Sequence, residues 1–88
     1  MSWSLNFIES AQKSFLKLDR LIQKRIVDLF ETKILKSNDP CILGKPLNGP
    51  MKGLWRYRVG DYRIICKIDK SQTTILVVDL GHRREVYL

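Results

Sequence analysis

Trp3, Leu5 and Phe7 alternate with Ser2, Ser4 and Asn6, a period of two that predicts a short strand with one buried face. From Glu9 the period lengthens. Ala11, Phe15, Leu18, Ile22, Ile26, Leu29 and Phe30 recur every three or four residues, which gathers them on one helical stripe. Asp19 stands in the middle as a candidate N-cap, so the spacing predicts two helices, from about residue 10 to 18 and from 19 to about 35, closed as a hairpin over a sheet. The run KSNDPCILGKPLNGP, residues 36–50, concentrates Asn, Pro and Gly and predicts a connecting loop. Three strands should follow, Leu54–Val59, Tyr62–Ile68 and Thr74–Leu80, the first two joined by Gly60-Asp61 as a two-residue type II′ turn. The order β-α-α-β-β-β predicts an α+β fold: a helical hairpin packed on one face of a small, mainly antiparallel twisted sheet. At 88 residues the chain is long enough for one core only, so residues 1–88 should form a single domain.

A two-residue turn fixes the register of the hairpin. Val59 then faces Tyr62, Arg58 faces Arg63, Tyr57 faces Ile64, Arg56 faces Ile65 and Trp55 faces Cys66. Alternation sends Trp55, Tyr57, Val59, Tyr62, Ile64, Cys66 and Ile68 toward the helices and Arg56, Arg58, Arg63 and Lys67 to the opposite face. Like charges directly opposite on a sheet cost about 0.2–1 kcal/mol relative to a neutral pair. A conflict of that kind marks a functional face, whereas Lys13, Lys17 and Lys24 are ordinary solvated helix charges.

The charge balance names the partner class. A net charge of +7 in so short a chain favours a polyanion such as nucleic acid. Residues 45–88 carry nine Lys/Arg against four Asp/Glu, and residues 1–44 seven against five, so the C-terminal half should meet that partner. Cys41 and Cys66 lack CxxC spacing, and with one histidine besides they predict inert thiols rather than a metal site. The chain shows no signal-like or membrane-length apolar run, which predicts a soluble cytoplasmic protein; no cofactor is expected.

Guanidinium groups match phosphate oxygens and can stabilise the added charge of a pentavalent transition state, but they accept protons poorly. The tail DLGHRREVYL supplies His82 and Tyr87, both chemically able to move a proton on a ribose hydroxyl or a leaving oxygen. The run GKPLNGPMKGLWRYRVGDYRIICKI followed by VVDLGHRREVY, after a two-helix half, resembles the RelE toxins of type II toxin–antitoxin systems, within the RelE/ParE superfamily. The likeness spans essentially the whole chain.

That resemblance implies a metal-independent endoribonuclease that cuts mRNA in the A site of the small ribosomal subunit and is held inactive by a RelB-like, acidic antitoxin, the pair binding its promoter DNA as a complex. By position it implies that Arg63 binds the scissile phosphate, that Arg83 protonates or stabilises the leaving 5′ oxygen, and that Tyr87 orients the substrate base or assists proton transfer. Arg56 and Arg58 fall where known members carry basic residues, often lysines, on the first strand of the hairpin. Lys45 and Lys52 would add phosphate contacts. Arginine in place of lysine leaves the base open, and His82 is the preferred alternative in either proton-transfer role. Two other activities suit the same scaffold: inhibition of DNA gyrase, as in ParE toxins, and RNA or ribosome binding without scission.

Overall fold

The computed structural model describes residues 3–82. The chain runs through β1 (Ser4–Phe7), α1 (Glu9–Leu16) and α2 (Arg20–Leu29), then β2 (Lys45–Pro46), β3 (Trp55–Val59), β4 (Tyr62–Asp69) and β5 (Thr74–His82). These strands form one sheet in the order β1-β5-β4-β3-β2. β1 lies parallel to β5, with Ser4 opposite Thr74 and Phe7 opposite Val77, and the remaining pairs are antiparallel. The helical hairpin packs on one sheet face, in the α+β arrangement that the hydrophobic spacing predicts. No helix among the described residues is long and apolar enough to cross a membrane.

The stripe along the helices meets the inward positions of the strands. Ala11, Ile26, Phe30 and Ile34 form one cluster with Tyr57, Ile64, Cys66, Ile75, Val77 and Leu80. Phe30 is fully buried, its ring edge-on to Tyr57 with centroids 5.5 Å apart. Asp19 occupies the N-cap of α2, but its carboxylate makes no cap hydrogen bond. Gln23 ties the corner instead. Its side-chain amide donates to the carbonyls of Leu18 at 2.9 Å and Leu16 at 3.3 Å, the second an acceptor in the last turn of α1 and the first in the connection that follows.

Three features depart from expectation. The loop after the helices contains β2, which makes the sheet five-stranded rather than four-stranded and puts Lys45 into the sheet. β2 is two residues long and one of them is proline, so it carries no period-two signal. Second, α2 does not run to Leu35 as a regular helix: Phe30–Ile34 is a π segment, closed by Leu35 N–H donating to the Phe30 carbonyl at 2.8 Å. Third, Trp55 and Tyr62 lie outside the core cluster, whereas Ile65 is fully buried on the face that alternation assigns to the charges.

The loop is pinned from below. Asp39 caps the 3₁₀ turn Pro40–Leu43 by accepting from the Cys41 N–H, and the Tyr57 hydroxyl donates to the Pro40 carbonyl at 2.6 Å in the protein interior. Gly44 then crosses the Tyr57 ring so closely that a Cβ there would sit 3.1 Å from Cε1. This contact delivers Lys45 to its place opposite Arg56.

In the turn between β4 and β5, Thr73 has φ of 49°, left-handed backbone that a β-branched residue adopts only under strain. Thr73→Asn, which tolerates that region, is expected to raise stability by about 0.5–1 kcal/mol. A higher urea midpoint with an unchanged slope would report it.

Candidate nucleic-acid interface

The hairpin folds in the expected register. Gly60 takes a φ of 57° as the first central residue of the turn, as a type II′ turn requires, and Arg58 is directly opposite Arg63 with Arg56 opposite Ile65. The face turned away from the helices therefore carries two cross-strand rows. One row runs Lys45, Arg56, Ile65, Asp79, and the other runs Arg58, Arg63, Gly81. Side chains opposite one another in such rows have Cβ atoms about 4.5–5.5 Å apart. Arg56, Arg58, Arg63 and Lys45 are thus neighbours on one surface, and Lys67 extends it along β4.

Their environments differ. Arg63 is only 8% exposed, a buried charged side chain, and its neighbour across β5 is Gly81, which has no side chain. Burial holds such a side chain in few rotamers and strengthens its field by excluding water. Arg58 is exposed at the rim, its Nε donating to the Gly60 carbonyl at 3.5 Å. Arg56 is half-buried, and its Nε is a buried donor without a hydrogen-bond partner among the described residues. Lys52 is exposed in the connection between β2 and β3, just after the 3₁₀ turn Gly49–Met51, and is not part of either row.

His82 is not on this surface. In β5, Asp79 pairs with Ile65 and Val77 pairs with Cys66, so Val78 is an extra residue, a β-bulge. Strict alternation from Ile75 and Val77 would carry Leu80 and His82 to the arginine face. The bulge reverses the parity: Leu80 enters the core, Asp79 and Gly81 turn to the arginines, and His82 faces the helix side opposite Tyr62. The His82 and Tyr62 rings meet edge to face with centroids 5.6 Å apart, beside Ser14 and Lys17 of the α1 end. The expected grouping of His82 with the arginines is therefore corrected. Arg83 and Tyr87 lie outside the described residues.

Other chemistry is sparse. Burial pushes the Cys66 thiol well above the usual range, and burial followed by the nearby Asp39 raises that of Cys41, so neither is a ready thiolate. Burial likewise raises Tyr57, which serves as a fixed hydrogen-bond donor rather than an acid. Among the described residues no three His, Cys, Asp or Glu side chains gather where a metal ion could sit. What the surface offers is several cations at short spacing, with Arg63 buried among them. That suits binding and charge stabilisation of phosphates, and it leaves proton transfer to groups elsewhere.

Comparison with known proteins agrees with this architecture. The profile of the ParE toxin of the type II toxin–antitoxin system parDE matches residues 5–87. Toxin RelG of Mycobacterium tuberculosis is 29% identical over 87 residues, covering 99% of this chain and 98% of that protein. Among solved structures, the toxin–antitoxin complex RelBE2 from the same organism contains a chain that superposes with a TM-score of 0.83 at 26% identity, covering 94% of this chain and all of that one. The RelB–RelE antitoxin–toxin complex of Methanococcus jannaschii gives 0.69 at 26% identity, over 92% of this chain and 93% of that one. With the match running over nearly its full length, the chain belongs to the ParE toxin family and is a type II toxin of the RelE/ParE superfamily.

Proposed function

We propose that the protein is a ribosome-dependent endoribonuclease that cuts mRNA in the ribosomal A site and is restrained by a RelB-like antitoxin. The observation that carries this reading is the pair of rows in which Arg58 opposes Arg63 and Lys45 opposes Arg56 on the face the helices leave uncovered. Such crowding opposes folding and favours a bound phosphodiester. The likeness to toxin RelG and to a chain of the RelBE2 toxin–antitoxin complex supports a toxin role and an antitoxin partner.

In the proposed reaction a ribose 2′-hydroxyl attacks the adjacent 3′ phosphorus. The bond to the 5′ oxygen breaks, the 2′ proton leaves to a base and the 5′ oxygen gains a proton, which yields a 2′,3′-cyclic phosphate and a free 5′-hydroxyl. Arg63 binds the scissile phosphate and stabilises its pentavalent state, with Arg56, Arg58, Lys45 and Lys52 holding flanking phosphates. Arg83 serves the leaving oxygen and Tyr87 orients the base. The complex with antitoxin, rather than the toxin alone, would contact promoter DNA.

Loss of a general acid or base costs typically about 10²–10⁴-fold in rate. Because His82 faces the helices, His82→Ala is expected to slow scission by less than about tenfold. Single-turnover cleavage on programmed ribosomes measures it.

The reading as a whole is tested by inducing the toxin and mapping new 5′ ends on transcripts, with ribosomes present and absent. Cuts at ribosome-occupied codons support it. Trapped gyrase–DNA complexes without such cuts would favour gyrase inhibition on the same scaffold, and RNA binding without scission would leave a non-catalytic module.

A further inference from the structure

A second basic surface lies around the edge of the sheet from the arginine rows. β2 covers β3 only at Trp55 and Arg56, so beyond that point the outer edge of β3 has no partner strand among the described residues. There α2 and the turn at Gly60 enclose an open groove of about 380 Å³ lined by Arg25, Asp28, Thr32, Lys33 and Arg58. Three cations face one carboxylate. Among the described residues the ion pairs are Lys13–Glu9 and Lys70–Asp39, so none of Arg25, Lys33 and Arg58 forms an ion pair with a described residue.

The backbone at this groove is also irregular. The π segment Phe30–Ile34 puts more residues into a turn than an α-helix does, which holds Lys33 back toward the stripe of Arg25 and Leu29. Thr32 Oγ1 donates to the Asp28 carbonyl at 2.5 Å, supplying a donor where the widened turn changes the normal pairing. Meanwhile Phe30 and Ile34 both remain fully buried, so the irregularity leaves the core contacts intact and changes what α2 presents to solvent. Segments of this kind occur often at functional sites.

We propose that this groove is a second phosphate-binding site for RNA, continuous with the arginine face through Arg58. It takes backbone phosphates of folded RNA lying outside the strand that is cut. The proposal rests on the ribonuclease reading, because Arg58 belongs to both surfaces. Asp28 sets the limit on affinity by repelling part of the bound charge.

The test uses the full-length toxin released from its antitoxin and two uncleavable 2′-O-methylated probes, a fluorescent RNA hairpin and a dinucleotide carrying a single phosphate. The hairpin can engage both surfaces, whereas one phosphate cannot. Each phosphate contact contributes about 0.7–0.9 to the slope of log affinity against log salt. Arg25→Ala with Lys33→Ala is therefore expected to flatten the hairpin slope by about 1.4–1.8 and to leave dinucleotide binding unchanged. Both positions are exposed on a helix, where alanine is favourable, so the fold should persist. Asp28→Asn is expected to act in the opposite direction and tighten the hairpin.

An unchanged hairpin slope together with no gain from Asp28→Asn overturns the proposal. So does a double variant that binds RNA normally but loses affinity for the antitoxin, because the groove would then belong to that protein. If the wild type binds neither probe, or if Arg63→Lys alters binding of neither, the ribonuclease reading fails and this proposal fails with it. If Arg63→Lys weakens both probes and the groove variants change nothing, the second site alone is eliminated.

Discussion

Replacing Arg63 by alanine is expected to abolish growth arrest on induction and to lower single-turnover scission of ribosome-bound mRNA by at least about 10²–10³-fold. That is the cost typical of removing one preorganised group that stabilises charge in a transition state. The expectation is large because Arg63 differs from its neighbours. It is 8% exposed and embedded in the central part of the sheet, flanked by β3 and β5, whereas Arg58 and Lys45 are exposed. A fixed guanidinium needs little reorganisation when the phosphate gains charge, while a mobile lysine must be ordered first. Arg63→Lys keeps the charge and loses the planar donor fork, so it should recover part of the rate but not all of it. Single variants at Arg58 or Lys45 should weaken binding more than they slow the chemical step. If Arg63→Ala retained wild-type scission while circular dichroism showed a native fold, the assignment of the arginine face as the reaction site would be wrong.

Phe30→Ala should have the largest effect on stability, about 3–5 kcal/mol, against a total of about 5–15 kcal/mol for a domain of ordinary stability. The ring is fully buried and lies edge-on to Tyr57, and it is the first residue of the π segment. Its removal leaves a cavity under β3, the strand that carries Arg56 and Arg58. At about 4–8 °C per kcal/mol for a domain of this size, the thermal midpoint should fall by more than about 12 °C. Differential scanning calorimetry of the free toxin measures this. A change of less than about 1 kcal/mol would mean that the helices are not fastened to the sheet through this contact.

Much of this arrangement could be read from the chain, and the reasons are local. Gly60-Asp61 permits one tight turn, and a two-residue turn leaves one register, so the opposition of Arg58 and Arg63 followed from six residues. The helical stripe was equally legible because Ala11, Ile26 and Phe30 all fell in the core. What escaped depended on distant partners. β2 exists because Tyr57 and Gly44 hold the loop against the sheet, and nothing within Lys45-Pro46 announces a strand. The bulge at Val78 depends on the pairing of β5 with β4, and apolar residues at Leu76, Val77 and Val78 fit either parity, so the side taken by His82 was not encoded in its own neighbourhood. The π segment preserves the burial of Phe30 and Ile34 and thus leaves no trace in the hydrophobic spacing.

The pairing of β1 with β5 has a temporal consequence. Ser4 cannot meet Thr74 until both helices and strands β2 to β4 have been made, and nearly every strand contact of the arginine face waits for residues beyond the helices. A nascent chain still in the exit tunnel therefore lacks its finished sheet, since closing so long a loop must precede any reward from the contacts it brings. Until β5 is available the sheet holds only its local antiparallel pairings, and its parallel edge is the last part to close.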